Sequence, residues 1–156
     1  MSTMNEMVDD FLAQKRIGVA GVSRDGKSPA NAIYQKLKRE GHVVYAINPN
    51  ADTVEGDTAY ANVKATPEKL DGVVIVTNPA HTEQVVHDCV EAGISRVWLH
   101  GSFVHGSSVS DEAVKFGQEH GVKVISGGCP MMFGPTADIF HKGICWWMKR
   151  SGQLPA

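Results

Sequence analysis

Hydrophobic positions along this chain follow two rhythms that alternate. Short, almost unbroken apolar runs occupy residues 16–21, 42–47, 72–77, 96–99 and 122–125. Between them, apolar residues recur every three or four positions. The runs predict strands covered on both faces, as in a parallel sheet, and the spaced stretches predict amphipathic helices. At the amino end, Met7, Val8, Phe11 and Leu12 form a helical stripe. Ser28 and Pro29 mark an N-cap and a first helical residue, Ala30, Ile33, Tyr34 and Leu37 keep helical spacing, and Gly41 stops the helix. Thr82 is the predicted cap of a helix carrying Val85, Val86, Cys89 and Val90 and ending at Gly93. Ser108 and Asp111 have capping-box spacing for a further helix that ends at His120 and Gly121. A last helix is predicted from Pro135, with Ile139, Phe140, Ile144, Trp147 and Met148 along one side. The segment between the second and third strands is irregular, with a short helical turn near residues 66–70. This alternation predicts a single α/β domain over residues 1–156: a doubly wound parallel sheet of about five strands with helices on both faces.

Composition narrows the class. The 156 residues suit one domain, and 42% hydrophobic with 21% charged residues is ordinary for a globular chain. Fifteen basic against 17 acidic residues leave a formal charge of -2, so no strong positive field exists for nucleic acid or an anionic membrane. No run approaches the length of a membrane span. The first residues carry Glu6, Asp9 and Asp10 where a signal peptide needs basic and apolar ones. Cys89, Cys129 and Cys145 are far apart, with no CxxC pair, which points to reduced thiols and a cytoplasmic setting.

In a doubly wound sheet, ligands bind beyond the carboxyl ends of the strands, where strand order reverses. Those ends are Gly21-Val22-Ser23, Asn48-Pro49, Thr77-Asn78-Pro79, His100-Gly101-Ser102 and Gly128-Cys129-Pro130. The first turn, Gly21-x-Ser23-x-x-Gly26, departs from the dinucleotide fingerprint: serine stands at the second glycine, and the cap comes late, at Ser28. Ser23, with Arg24 and Lys27 and the backbone N–H groups of the coming helix, makes it a candidate phosphate-binding loop. An ordinary β–α turn with solvated Arg and Lys is the plain alternative. A nicotinamide-binding chain needs an acid at the second strand end for the ribose, or Arg for its phosphate. Asn48 and Pro49 stand there instead, offering a flat wall for an adenine or ribose.

Together these segments resemble the CoA-binding domain family, small stand-alone proteins related to the nucleotide-binding domain of the succinyl-CoA synthetase α subunit. The matching segments are residues 17–23, 45–49, 56–60, 73–79, 92–94 with 97–99, and 128–130, in order along the chain. The resemblance implies a Rossmann-like domain holding CoA in an extended pose across the strand ends. Gly21, Val22 and Ser23 would then face the pyrophosphate, with Arg24, Lys27 and Ser28 near phosphate. Asn48 and Pro49 would flank the adenosine, and Thr77, Asn78 and Pro79 would line the middle of the groove. Gly128, Cys129 and Pro130 would sit at the fifth strand end. His100-Gly101-Ser102-Phe103 departs from the acidic, glycine-containing pattern common in the family.

Other residues carry less. Cys129 reads as a small buried residue at a tight turn more readily than as a reactive thiol, and Cys89 and Cys145 as packing residues. Seven histidines (His42, His81, His87, His100, His105, His120, His141) show no HxH or HExxH spacing, so no metal site is expected. No catalytic set is assigned either. The leading expectation is a non-catalytic CoA or acyl-CoA binding protein, with a homo-oligomer or a ligase subunit as partner. The alternatives are a subunit or remnant of an acyl-CoA ligase or transferase, and an NAD(P)-binding redox sensor.

Overall fold

The computed structural model describes residues 3–102 and 106–132. The helix predicted from Pro135, with Cys145, Trp147 and His141, lies outside the described residues, as do Phe103 and His105. The elements run α1 (Met4–Leu12), β1 (Arg16–Ala20), α2 (Pro29–Arg39), β2 (Val43–Ile47), β3 (Thr53–Val54), β4 (Asp57–Tyr60), β5 (Gly72–Ile75) and α3 (Pro79–Glu91). They continue with β6 (Arg96–Leu99), β7 (Gly101–Ser102), β8 (Gly106–Ser107), α4 (Asp111–Glu119), β9 (Lys123–Ser126) and a 3-10 turn (Pro130–Met132).

One sheet of seven strands has the order β3-β4-β2-β1-β5-β6-β9. Its five long-run strands are parallel and match the apolar runs: β1 pairs β2 on one side and β5 on the other, and β5, β6 and β9 follow in parallel. The expected five strands thus gain two. The short β3–β4 hairpin is antiparallel and adds to β2 through β4. Its turn puts Glu55 and Gly56 at positive φ. No helical turn forms at residues 66–70. There the Thr66 hydroxyl donates to the Glu68 carbonyl, and Leu70 is drawn into the core.

Alternation along the strands divides the core in two. Ile17 and Val19 of β1, Val74 and Trp98 face α1 and α2, meeting Val8, Phe11, Ile33 and Leu37. Ala20, Val73, Ile75, Val97 and Leu99 face α3 and α4, meeting Val86, Cys89 and Ala113. Period-two alternation in a sheet covered on both sides requires this division. Met4 joins Val8 and Phe11 in the core face of α1, with Met7 and Leu12 half-buried against the same cluster.

Two predicted caps move. Asn78, not Thr82, caps α3: its side chain accepts the Ala80 N–H, and Pro79 takes the first helical position, repeating the Ser28–Pro29 arrangement at α2. Thr82 is buried in the first turn, its hydroxyl donating to the Ser108 carbonyl at 2.7 Å. Ser110 caps α4 through the Ala113 N–H, so Ser108 is released for the strand ends.

Candidate functional site

Chain order reverses between β1 and β5: β2, β4 and β3 lie to one side, β6 and β9 to the other. The crevice above that reversal is where an open parallel sheet takes its ligands. Gly21 is at its base with φ +101. Its N–H donates to the Ile47 carbonyl, and a Cβ on it would stand 1.9 Å from the Val76 carbonyl oxygen. Only a residue with no side chain lets the β1 and β5 ends come this close.

The loop from Gly21 to Ser28 is built around a residue the sequence reading passed over. Asn31, on the inner face of α2, is 3% exposed. Its Oδ1 accepts the Ser23 N–H at 2.9 Å, and its Nδ2 donates to the Ser23 carbonyl at 2.9 Å. The same amide donates to Glu55 Oε1 at 2.7 Å. Glu55 thereby ties the β3–β4 hairpin to α2, and Gln35 adds a second bond to it. A buried polar side chain amid Ala30, Ile33, Tyr34 and Leu37 was the signal available in the sequence. It needs partners to be tolerated there, and Ser23 supplies them.

Ser23 is therefore not a free hydroxyl. Its Oγ lies 2.7 Å from Asp25 Oδ1 and 3.0 Å from Asn31 Oδ1, and it accepts the Ser28 N–H at 3.3 Å. Val22 is buried and meets the site only through its backbone, its carbonyl accepting the Asn48 amide at 2.9 Å. Arg24 and Lys27 are exposed at the loop tip, and Ser28 caps α2 behind it. Asn48 also accepts the Asn50 N–H, so both ends of its side chain hold the turn in shape. Pro49 beside it is exposed.

Across the crevice, the Thr77 N–H donates to the Ser108 hydroxyl, and the Thr77 and Thr82 hydroxyls are 2.9 Å apart. Asn78 and Pro79 are exposed at the start of α3. The amino ends of α2 and α3 thus both lie at this rim, each carrying the partial positive charge of its helix dipole, with their first-turn N–H groups bonded to the caps Ser28 and Asn78. Gly128, Cys129 and Pro130 are buried. Burial pushes the Cys129 thiol up, against the smaller pull of the Met131 N–H and the Lys36 charge. It packs with the α1–α2 core cluster, as does Met131. His100 is buried too; its carbonyl accepts the Ser108 N–H. The first three strand-end segments thus each present exposed or half-buried residues, whereas His100 of the fourth and Gly128, Cys129 and Pro130 of the fifth are buried. Among the described residues no cluster of His, Cys, Asp or Glu has metal-site geometry, and no helix is long and apolar enough to cross a membrane.

Comparison with known proteins agrees with this fold. A family model described as a CoA binding domain matches residues 15–135. The chain is 26% identical to the acetate–CoA ligase [ADP-forming] II subunit alpha of Pyrococcus furiosus, over 96% of this chain and 36% of that one. It therefore spans well under half of that relative's length. Among solved structures, a hypothetical protein from Pyrococcus horikoshii OT3 superposes with TM-score 0.74 at 26% identity, covering 83% of this chain and 88% of the other. The dinucleotide-forming acetyl-coenzyme A synthetase 1 of Ca. Korarchaeum cryptofilum, in complex with phosphate and ADP, gives 0.61 at 28%, covering 78% of this chain and 26% of that one.

Proposed function

The chain belongs to the CoA binding domain family, and from that premise we propose that it holds CoA or acyl-CoA across the carboxyl ends of β2, β1 and β5 without chemistry of its own. The observation that supports this reading is the Gly21–Val76 contact, which brings the β1 and β5 ends together beside the amino ends of two proline-started helices. Backbone N–H groups at such an end favour anions, and exposed Arg24 and Lys27 add charge suited to a diphosphate and a 3′-phosphate. The adenosine would lie against Asn48 and Pro49, and the pantetheine would run past Thr77, Asn78 and Pro79. Buried Cys129 is not offered to the CoA thiol in this arrangement.

A nicotinamide dinucleotide fits less well. Asn48 spends its amide on Val22 and its carbonyl oxygen on Asn50, leaving no acceptor pair for a ribose at that strand end. The ligase-subunit reading stands second, favoured by the match of nearly the whole chain to one part of a longer ligase subunit. On that reading the domain supplies bound CoA to a partner that carries out acyl transfer.

Calorimetric titration with CoA tests the site. Replacing Arg24 and Lys27 together with alanine should weaken binding roughly tenfold at low salt. Unchanged affinity would remove the first loop from the phosphate site.

A further inference from the structure

An acid sits among the donors that a phosphate would need. Asp25 Oδ1 accepts the Lys27 N–H at 2.9 Å and lies 2.7 Å from Ser23 Oγ. The Ser28 N–H donates to that hydroxyl oxygen, and the hydroxyl's one proton has two acceptors in reach, Asp25 Oδ1 at 2.7 Å and Asn31 Oδ1 at 3.0 Å, of which the carboxylate is the nearer and the charged one. The two donors hold the Asp25 carboxyl below the usual carboxylate range, the Lys27 N–H most of all. Asp25 itself is exposed and packs against nothing apolar that would need it for the core.

Carboxylate and phosphate oxygens are both anionic acceptors, and they compete for the same N–H and O–H donors. A carboxylate two residues away is present at a high effective concentration, so a weak monoanion cannot displace it, whereas a diphosphate with several charges can. We propose that Asp25 is an internal anion that occupies the donors of the first loop until a phosphate-bearing ligand displaces it, setting a threshold for which anions bind. The proposal rests on the reading that a diphosphate lies at this loop.

Three variants separate competition from two simpler roles. Asp25→Ala removes the acceptor, Asp25→Asn keeps a neutral one, and Asp52→Asn removes an exposed charge just ahead of β3. Each is titrated calorimetrically with CoA, ADP, pyrophosphate and pantetheine, at about 0.1 M and about 0.5 M salt. Competition predicts that Asp25→Ala binds CoA, ADP and pyrophosphate about tenfold more tightly than the natural chain, with Asp25→Asn between them. The gain persists at the higher salt, pantetheine is unaffected, and Asp52→Asn changes affinity by less than about threefold. An Asp52→Asn gain as large as that of Asp25→Ala, lost at high salt, would reduce the effect to net charge and overturn the proposal. Weaker binding by Asp25→Ala than by Asp25→Asn would make Asp25 a brace for the loop, which also overturns it. If CoA binds none of the proteins while pyrophosphate binds Asp25→Ala more tightly, the CoA reading fails and the competition stands. If no phosphate-bearing ligand binds any of them, both fall.

Discussion

Gly21→Ala adds one carbon at the point where the β1 and β5 ends meet. Its Cβ would lie 1.9 Å from the Val76 carbonyl oxygen and 2.9 Å from the carbonyl carbon. Neither atom can swing aside as a side chain would. The Val76 N–H is bonded to the Ala20 carbonyl, and Ala20 pairs with Ile75 in the ladder. The new residue must also leave φ +101 or accept its strain. The conformational cost alone is about 1–2 kcal/mol. Parting the strand ends adds roughly another 1–2 kcal/mol for a weakened ladder bond and lost packing. The sum, about 2–4 kcal/mol, corresponds to a fall in Tm of roughly 5–15 °C for a domain of this size. Gly41→Ala provides the control. Gly41 has nearly the same φ, +94, but nothing within 4 Å of its would-be Cβ. It should cost only the conformational part. Urea unfolding of both variants, followed by far-ultraviolet circular dichroism at matched m-values, measures the difference. A gap of at least about 1 kcal/mol between them supports the close approach. Equal costs would mean that Gly21 is present for its backbone angle alone, and that β1 and β5 do not define the crevice as described.

Two further outcomes follow from the loop and its neighbours. Asn31→Ala leaves the Ser23 N–H and carbonyl without their partner beneath a buried helix face, and should cost about 2–3 kcal/mol in urea unfolding while also weakening CoA binding; a loss in stability with CoA affinity intact would separate the loop from the ligand. The Lys38 ammonium, and after it the Tyr34 hydroxyl, hold the Asp57 carboxyl below its ordinary range. Its folded value being depressed, the stability it contributes is present above the unfolded carboxylate range, near pH 4, and is lost as pH falls through the folded value. Asp57→Asn should flatten that acid limb by less than about 1 kcal/mol, because the ion pair is open to solvent. An unchanged acid limb in melts between about pH 5 and about pH 2 would show that the pair does nothing.

Long apolar runs announced the parallel strands because both faces of each are covered, so nearly every position had to be apolar. The β3–β4 hairpin carried no such signal. Its strands are two and four residues long, Thr53-Val54 and Asp57-Thr58-Ala59-Tyr60, and its turn is Glu55-Gly56 rather than the more recognisable Asn-Gly or Asp-Gly. The cap of α3 was legible but overlooked: Asn78-Pro79 repeats the Ser28-Pro29 pattern that placed α2 correctly. For Ser23, residue type pointed to a ligand, while its partners depended on tertiary placement. Asn31 is eight residues away and meets Ser23 only because α2 folds back along β1. The buried Lys36 was also hidden in the sequence, although Glu40 one turn later supplies the matching charge. Gly128, Cys129 and Pro130 were read as site residues from their position at a strand end. That they are buried depends on packing from beyond the local sequence, which their place at a strand end does not disclose.

Thermal melts of the purified protein with CoA, acetyl-CoA, NAD, NADP and ADP at matched concentrations test the central claim most directly. Ligand at about 100 times its dissociation constant adds about 2.7 kcal/mol, which for a domain of this size is a rise of roughly 5–10 °C. That rise is expected with CoA, well above that with ADP and absent with NAD and NADP. No shift with CoA, or a shift with NAD alone, would contradict it.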